Sequence, residues 1–273
     1  TMKYSTIVVS IALVATFSAD AFVSQSIATK PSFVPSERCG FFHVAAHPGG
    51  APQASETATD FIGTELRGAA MKLHTRKQAP KEGEAEEKQE EKERYVPTHD
   101  DYLKFLVDSQ HVYQAMEDVV NEKPELAVYK STGLERVAPL EKDIEFMVNE
   151  YGLTRPEVGE AGKAYADEMR RVAKEGTIPE FMCHYYNYYF AHTAGGRMIG
   201  KQMSALLLDK KTLEFYKWDG DLNKIKATVK NDIEEMAARW SREEKDQCVD
   251  ATAAAFRGGG AINGYLSGGR SGH

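Results

Sequence analysis

The sequence predicts an all-α protein whose folded part is one domain of several helices. Three observations carry this. From about Thr57 onward apolar residues recur at a period near 3.6 almost throughout. Val, Ile and Thr do not gather into alternating runs, and no Asn-Gly or Asp-Gly sits between two such runs. Glycine or proline closes the periodic stretches, as at Pro80, Gly152 and Gly176.

The chain has 273 residues, and its first part does not share that pattern. Lys3 precedes an apolar run from Ile7 to Phe17, and Ala19-Asp20-Ala21 has the small-x-small form of a signal-peptidase site. Residues 1–21 therefore read as a cleaved signal peptide, with a retained anchor as the alternative. The run is short for a bilayer span. Phe22 follows, and residues 22–57 are Ser/Thr-rich and poor in acids, the composition of a transit peptide. A signal peptide, a phenylalanine at the cut and a transit-like stretch resemble the two-part presequence of algae with secondary plastids. That resemblance implies a chloroplast stroma destination; secretion with a disordered N-terminus is the alternative.

Residues 58–266 then read as one helical domain. Its first helix carries Phe61, Ile62, Leu66, Ala69, Ala70 and Leu73 on one face, with Asp60 or Thr59 as cap and Pro80 as stop. Residues 80–97, "PKEGEAEEKQEEKERYVP", are a dense mixed-charge insertion that reads as solvated and flexible. "HDDYLKFLVDSQHVYQAMEDVVNE" is an amphipathic helix with Tyr102, Phe105, Leu106, Val112, Tyr113 and Met116 in its stripe. "LERVAPLEKDIEFMVNEYG" gives another, started or kinked at Pro139, and "GKAYADEMRRVAKEG" a third. "IPEFMCHYYNYYFAHTAGGRMIGKQMSALLL" is a long apolar helix, and "DLNKIKATVKNDIEEMAARWSREEKDQCVDATAAAFR" supplies one or two more. The glycine-rich end, "GGGAINGYLSGGRSGH", is expected to fray, with 267–273 as a flexible tail.

Net charge of −7 excludes a nucleic-acid binder held by electrostatics. Cys39, Cys183 and Cys248 are odd in number and scattered, so they build neither a disulfide framework nor a zinc site.

Three places carry chemistry. Arg67 lies seven residues before His74, so the two share a helix face two turns apart, with Ala70 and Met71 between them. A cation, small residues and an imidazole suit a flat ligand with an anionic edge and a metal centre, such as haem. Taken alone, His74 reads first as an ordinary helix-end histidine. His192, Gly196 and Gly200 fall at i, i+4 and i+8, with Gly195 beside them. Glycine costs a helix about 1 kcal/mol relative to alanine, so three within six residues need a reason. Either another helix packs there, or a planar ligand lies on the backbone. Lys226 and Lys230 form a cationic i, i+4 pair that is a solvated face or a carboxylate anchor. The tyrosines around Tyr185–Tyr189 read mostly as core, and His184 and His192 are too far apart to share one ion.

"MKLHTR" at 71–76, "FLVDSQHVY" at 105–113, "TGLERV" at 132–137, "FAHTAGGRMIGKQ" at 190–202, "LEFYKWDGDL" at 213–222 and "WSREEKDQC" at 240–248 resemble the plastid-type haem oxygenases of plants and algae. The likeness runs in order from about Phe61 to Phe256. It implies a multi-helix domain with haem, both cofactor and substrate, sandwiched between a proximal and a distal helix. His74 would be the proximal iron ligand. Arg67, Lys226 and Lys230 would hold propionates. Ala191, Gly195 and Gly196 would lie over the macrocycle, with His192 as a catalytic group. Animal and bacterial members place an aspartate at the His192 position and a glycine at the Ala191 position, and the aspartate holds a water network. Whether His192 takes over that role stays open. The products implied are biliverdin, carbon monoxide and ferrous iron. The implied partners are dioxygen, reduced ferredoxin docking on a basic face (Arg197, Lys201 and Lys224 to Lys230) and a downstream bilin reductase. A monomer without nucleic acid, and without membrane in the mature form, is expected. The alternative is a non-catalytic haem- or bilin-binding protein of the same fold.

Overall fold

In a computed structural model of the chain, residues 60–74 and 95–268 are described, and every regular element among them is helical. Both presequence segments, Pro80, most of the charged 80–97 block and residues 269–273 lie outside the described residues. The described ones belong to a single packed unit.

A π-helical turn, Ile62–Leu66, runs into α1, Arg67–Lys72. Asp60 starts this helix as expected, accepting from the Gly63 amide at 2.9 Å. A second carboxylate helps from far away in sequence: Glu234 accepts from the Phe61 and Ile62 amides at 3.1 and 2.8 Å. These two acids satisfy donors that a helix start leaves without intrahelical partners.

α2, His99–Glu122, is opened by a capping box between Thr98 and Asp101. Its Tyr102, Leu103, Leu106, Val112, Tyr113 and Met116 are almost wholly buried. Each such side chain is worth about 1.5–3 kcal/mol of burial. A 3₁₀ turn at Pro124–Tyr129 leads to α3, Val137–Tyr151, with Pro139 in its first turn. Gly152 ends it in the left-handed region, φ 62°. α4, Glu160–Glu175, packs along α2. α5, Ile178–Ala191, is capped by Thr177 and passes through a second π-helical turn, His192–Gly196, into α6, Arg197–Leu207. The long helix read from the sequence is thus one rod with a π bulge at its glycines. Such bulges are frequent at functional sites.

After a short 3₁₀ turn, Glu214–Tyr216, come α7, Leu222–Ala237, α8, Arg242–Asp250, and α9, Thr252–Ser267. Asp221 and Ser241 cap α7 and α8. The expected fraying after Phe256 does not occur within the described residues. α9 stays helical through Gly258, Gly259 and Gly260 to Ser267, and Gly268 closes it at φ 72°. The reason is packing. A side chain at Gly258 would collide with the Tyr165 ring, and Ile262 and Leu266 are buried beyond it. α9 packs on α2, α4 and α5, so it is an internal strut. Cys183 and Cys248 are buried free thiols. No helix among the described residues is long and apolar enough to cross a membrane.

Candidate functional site

His74 sits just past α1 and is buried. Its Nδ1 donates to the Ala70 carbonyl at 2.8 Å, one turn back. Nδ1 then carries the proton, and Nε2 is the basic nitrogen. Burial lowers the imidazole's pKa, opposed by the Ala70 bond, so the ring is neutral near pH 7. Phe256 of α9 meets it edge-on, ring centroids 5.0 Å apart. A neutral imidazole with a fixed tautomer is a ready metal ligand.

α9 links this histidine to the glycine-bearing helix. One turn beyond Phe256, Gly259 lines a cavity of about 110 Å³ together with Ala191, His192 and Gly196. That space admits water but no macrocycle. Gly195 is buried, whereas Ala191 is exposed although it lies inside the rod.

The glycine stripe has a different explanation from a ligand bed at two of its positions. A Cβ on Gly196 would stand 2.7 Å from His192 Nδ1. One on Gly200 would stand 2.7 Å from three Tyr216 ring carbons. The chain's own rings use that room. Of these positions Ala191, exposed within the rod, is the one the chain's own rings leave open.

His192 is fully committed. Its Nε2 donates to the Phe215 carbonyl at 2.8 Å, and its ring stacks on Phe215 at 3.9 Å and 17°. Tyr216 and Trp218 flank it at 5.4 and 5.3 Å. Burial pushes its pKa down to about 3. A neutral ring that spends its one N–H on a carbonyl is a clamp, and what remains toward Gly196 is an acceptor nitrogen.

The clamp has helpers that sequence reading missed. Arg136 is buried and donates to Lys217 O at 2.6 Å, Phe215 O at 3.3 Å and Leu134 O at 3.0 Å. Asp143 accepts from the Glu214 and Phe215 amides at 2.8 and 2.6 Å. Desolvation raises its pKa to about 6, against those two bonds. A signal existed: Asp143 falls three after Leu140 and four before Met147, on the buried face of α3. An acid on an apolar stripe needs a partner. Asp108, on the α2 stripe, is the same case, bonded by the Gly159 and Gly162 amides and the Tyr265 hydroxyl.

The cations divide. Lys230 Nζ bonds Asp60 at 3.0 Å, tying α7 to the start of α1. Lys226 is half-buried, and its pKa is lowered by burial and then by Arg197. Arg67 is half-buried and close enough to Tyr186 to act on its hydroxyl. Glu234, four residues after Lys230, is occupied in capping α1. No group of three or more His, Cys, Asp or Glu side chains that could hold a metal ion occurs among the described residues.

These residues fit haem. The donor set is one neutral imidazole, the cations Arg67 and Lys226 suit carboxylate arms, and the rod offers a face poor in side chains. Such a set of groups on a helical fold suits a binder of a planar, metal-bearing macrocycle. Comparison with known proteins narrows it. The family model described as Heme oxygenase matches residues 63–260. The chain is 46% identical over 209 residues to the chloroplastic heme oxygenase 1 of Oryza sativa, covering 76% of this chain and 71% of that one. It is 43% identical over 203 residues to its Arabidopsis thaliana namesake, covering 72% and 71%. In fold it is similar to the crystal structure of heme oxygenase-1 from the cyanobacterium Synechocystis in complex with heme, with a TM-score of 0.54 at 21% identity, covering 76% of this chain and 83% of that one. The chain belongs to the heme oxygenase family.

Proposed function

We propose that this chain is a plastid haem oxygenase in which His74 holds the iron and electrons come from reduced ferredoxin. The reaction converts haem, dioxygen and reducing electrons to biliverdin, carbon monoxide and ferrous iron. Bound haem supplies both the iron that takes dioxygen and the meso carbon that is oxidised. The chain's residues do the rest.

The observation that carries the reading is the bond from His74 Nδ1 to Ala70 O. It fixes the tautomer, so Nε2 offers its lone pair as a neutral ligand. A neutral histidine lacks the electron push of a thiolate and does not favour O–O cleavage. Arg67 and Lys226 hold the propionates and thereby set which ring edge meets the distal helix. Lys230 keeps two further donors beside its bond to Asp60 and supplements Lys226. Ala191 and Gly195 present backbone toward the ring, while the room at Gly196 is taken by His192. His192 holds Phe215 and the segment after it against the distal helix, so its role is positioning.

Arg197, Lys201 and Lys224 are exposed and suit an acidic electron donor. The two-part presequence delivers the chain to a plastid, where a bilin reductase consumes the product. A haem titration of the wild type and of His74→Ala tests the site. The variant is expected to lose the wild-type Soret position and turnover, with added imidazole restoring the Soret position. Unchanged spectra and turnover in His74→Ala would contradict the assignment.

A further inference from the structure

The helix that leads to His74 is short. α1 spans Arg67–Lys72 and is preceded by the π-helical turn Ile62–Leu66. A helix of that length is marginal alone, so its direction depends on what grips it from outside. Phe61, Ile62 and Leu66 are almost wholly buried, but apolar burial is non-directional. The directional grip is at the start and comes from α7. Glu234 accepts from the Phe61 amide with one carboxylate oxygen, at 3.1 Å, and from the Ile62 amide with the other, at 2.8 Å. Two bonds to one planar group fix the direction of both N–H groups, and with them the axis of the turn they open. The negative charge also meets the positive end of the helix.

Other ties to this segment are weaker or less directional. Arg242 of α8 pairs with Glu65 at 2.8 Å, but both side chains are about half exposed, where such pairs are worth little. Phe61 meets Trp240 edge-on at 6.0 Å. At the far end, His74 is bonded to Ala70 within its own helix and touches Phe256 of α9.

α7 is also the helix of the cations assigned to the propionates. Lys226, Lys230 and Glu234 fall at i, i+4 and i+8, so they form one stripe about 12 Å long. Lys226, at one end, is half-buried. Lys230, in the middle, bonds Asp60 at 3.0 Å, and Asp60 accepts from the Gly63 amide at 2.9 Å. Glu234, at the other end, holds the first two amides of the turn. A single helix thus carries a carboxylate anchor and the grip on the segment that bears Arg67 and His74.

We propose that Glu234 is a positioning residue that determines product specificity: it fixes how the segment bearing Arg67 and His74 is set against Lys226, and so which edge of the macrocycle is oxidised. This rests on the haem-cleaving function and names a residue that sets its regiochemistry. Glu234 acts through the backbone of Phe61 and Ile62. Without it, the iron ligand and the carboxylate anchor no longer share one frame, and the ring can seat in more than one orientation.

The test uses the full chain with Glu234→Ala and Glu234→Gln. The first readout is amide hydrogen exchange in the haem-free protein. Exchange over residues 61–72 is expected to quicken about tenfold in Glu234→Ala, the scale of a lost helix cap, with α2 and α5 unchanged. The second readout is the biliverdin isomer pattern by chromatography, after haem has bound with the wild-type Soret position. Glu234→Ala is expected to broaden that pattern, as Lys226→Met is expected to do. Glu234→Gln keeps one acceptor oxygen for two amides and should fall between alanine and wild type in both readouts. A wild-type isomer pattern in Glu234→Ala with haem bound would overturn the assignment, since a purely structural cap would not touch regiochemistry. Wild-type exchange over 61–72 would overturn it as well. If Glu234→Ala does not fold, a wild-type pattern in Glu234→Gln has the same force. A wild type that binds no haem would overturn the haem-cleaving function, and the proposal with it.

Discussion

Replacing Gly200 by alanine separates two explanations of the glycines in the long helix. In an open helix position the change stabilises by about 1 kcal/mol, because alanine is the better helix former. The structure predicts the opposite sign at Gly200. The new Cβ would stand 2.7 Å from three carbons of the Tyr216 ring, which would have to retreat roughly 0.7 Å to reach the 3.4 Å edge of ordinary contact. Tyr216 has little freedom to do so. Its hydroxyl accepts from Tyr102 at 3.1 Å, and its ring lies 4.9 Å from Phe215 and 5.4 Å from His192. Overpacking of this kind costs about 1–3 kcal/mol. Set against the propensity gain, Gly200→Ala should be destabilised by about 1 kcal/mol. The internal control is Gly260→Ala in α9, where nothing stands within 4 Å of the added Cβ. That variant should be more stable by about 1 kcal/mol. In thermal unfolding without haem, each kcal/mol moves Tm by roughly 2–4 °C at this domain size. The two variants should move in opposite directions. A Gly200→Ala chain that gains as much as Gly260→Ala would mean that the room is open, and would refute the packing argument.

Three further outcomes follow from the same contacts. His184 is buried with Nε2 unpaired in the fold, and desolvation pushes its pKa down to about 4. The unfolded chain takes up the proton first, so stability falls as pH drops from about 6.5 toward 4. By pH 5 the loss is about 2 kcal/mol. Urea unfolding of His184→Phe should show the difference between pH 7 and pH 5 shrinking by that amount, and an unchanged difference would contradict it. Arg136→Ala takes the buried guanidinium from the Lys217 carbonyl and leaves the Phe215 carbonyl only its His192 donor, and should cost about 3 kcal/mol in denaturant unfolding. Lys226→Met should weaken haem about tenfold and mix the biliverdin isomers seen by chromatography, while Lys230→Met, which breaks an exposed pair, costs under about 1 kcal/mol of stability.

Much of the fold was legible because helices announce themselves locally. The α2 stripe and the Gly152 stop depend on residues within a turn or two. Reading α9 as a fraying end failed for the opposite reason. Its glycines look like breakers until Tyr165, nearly a hundred residues earlier, is placed against Gly258. The site divides in the same way. His74 and its link to Ala70 are an i, i+4 relation on one helix. Phe215, the partner of His192, and Arg136 and Asp143, which hold the backbone around Phe215, are brought together only by tertiary packing. Glu234 capping α1 from α7 is likewise beyond any local pattern, although acids on apolar faces, as at Asp108 and Asp143, hint that a long-range partner exists.

The most direct test of the central claim is a single incubation. Haemin is added to the chain, followed by ferredoxin, its reductase and NADPH in air, and the visible spectrum is followed with time. The account predicts that the Soret band decays while a broad red biliverdin band grows, with carbon monoxide released. A Soret band that forms and then persists unchanged through the incubation would contradict it, and would make the chain a haem-binding protein without the cleavage chemistry.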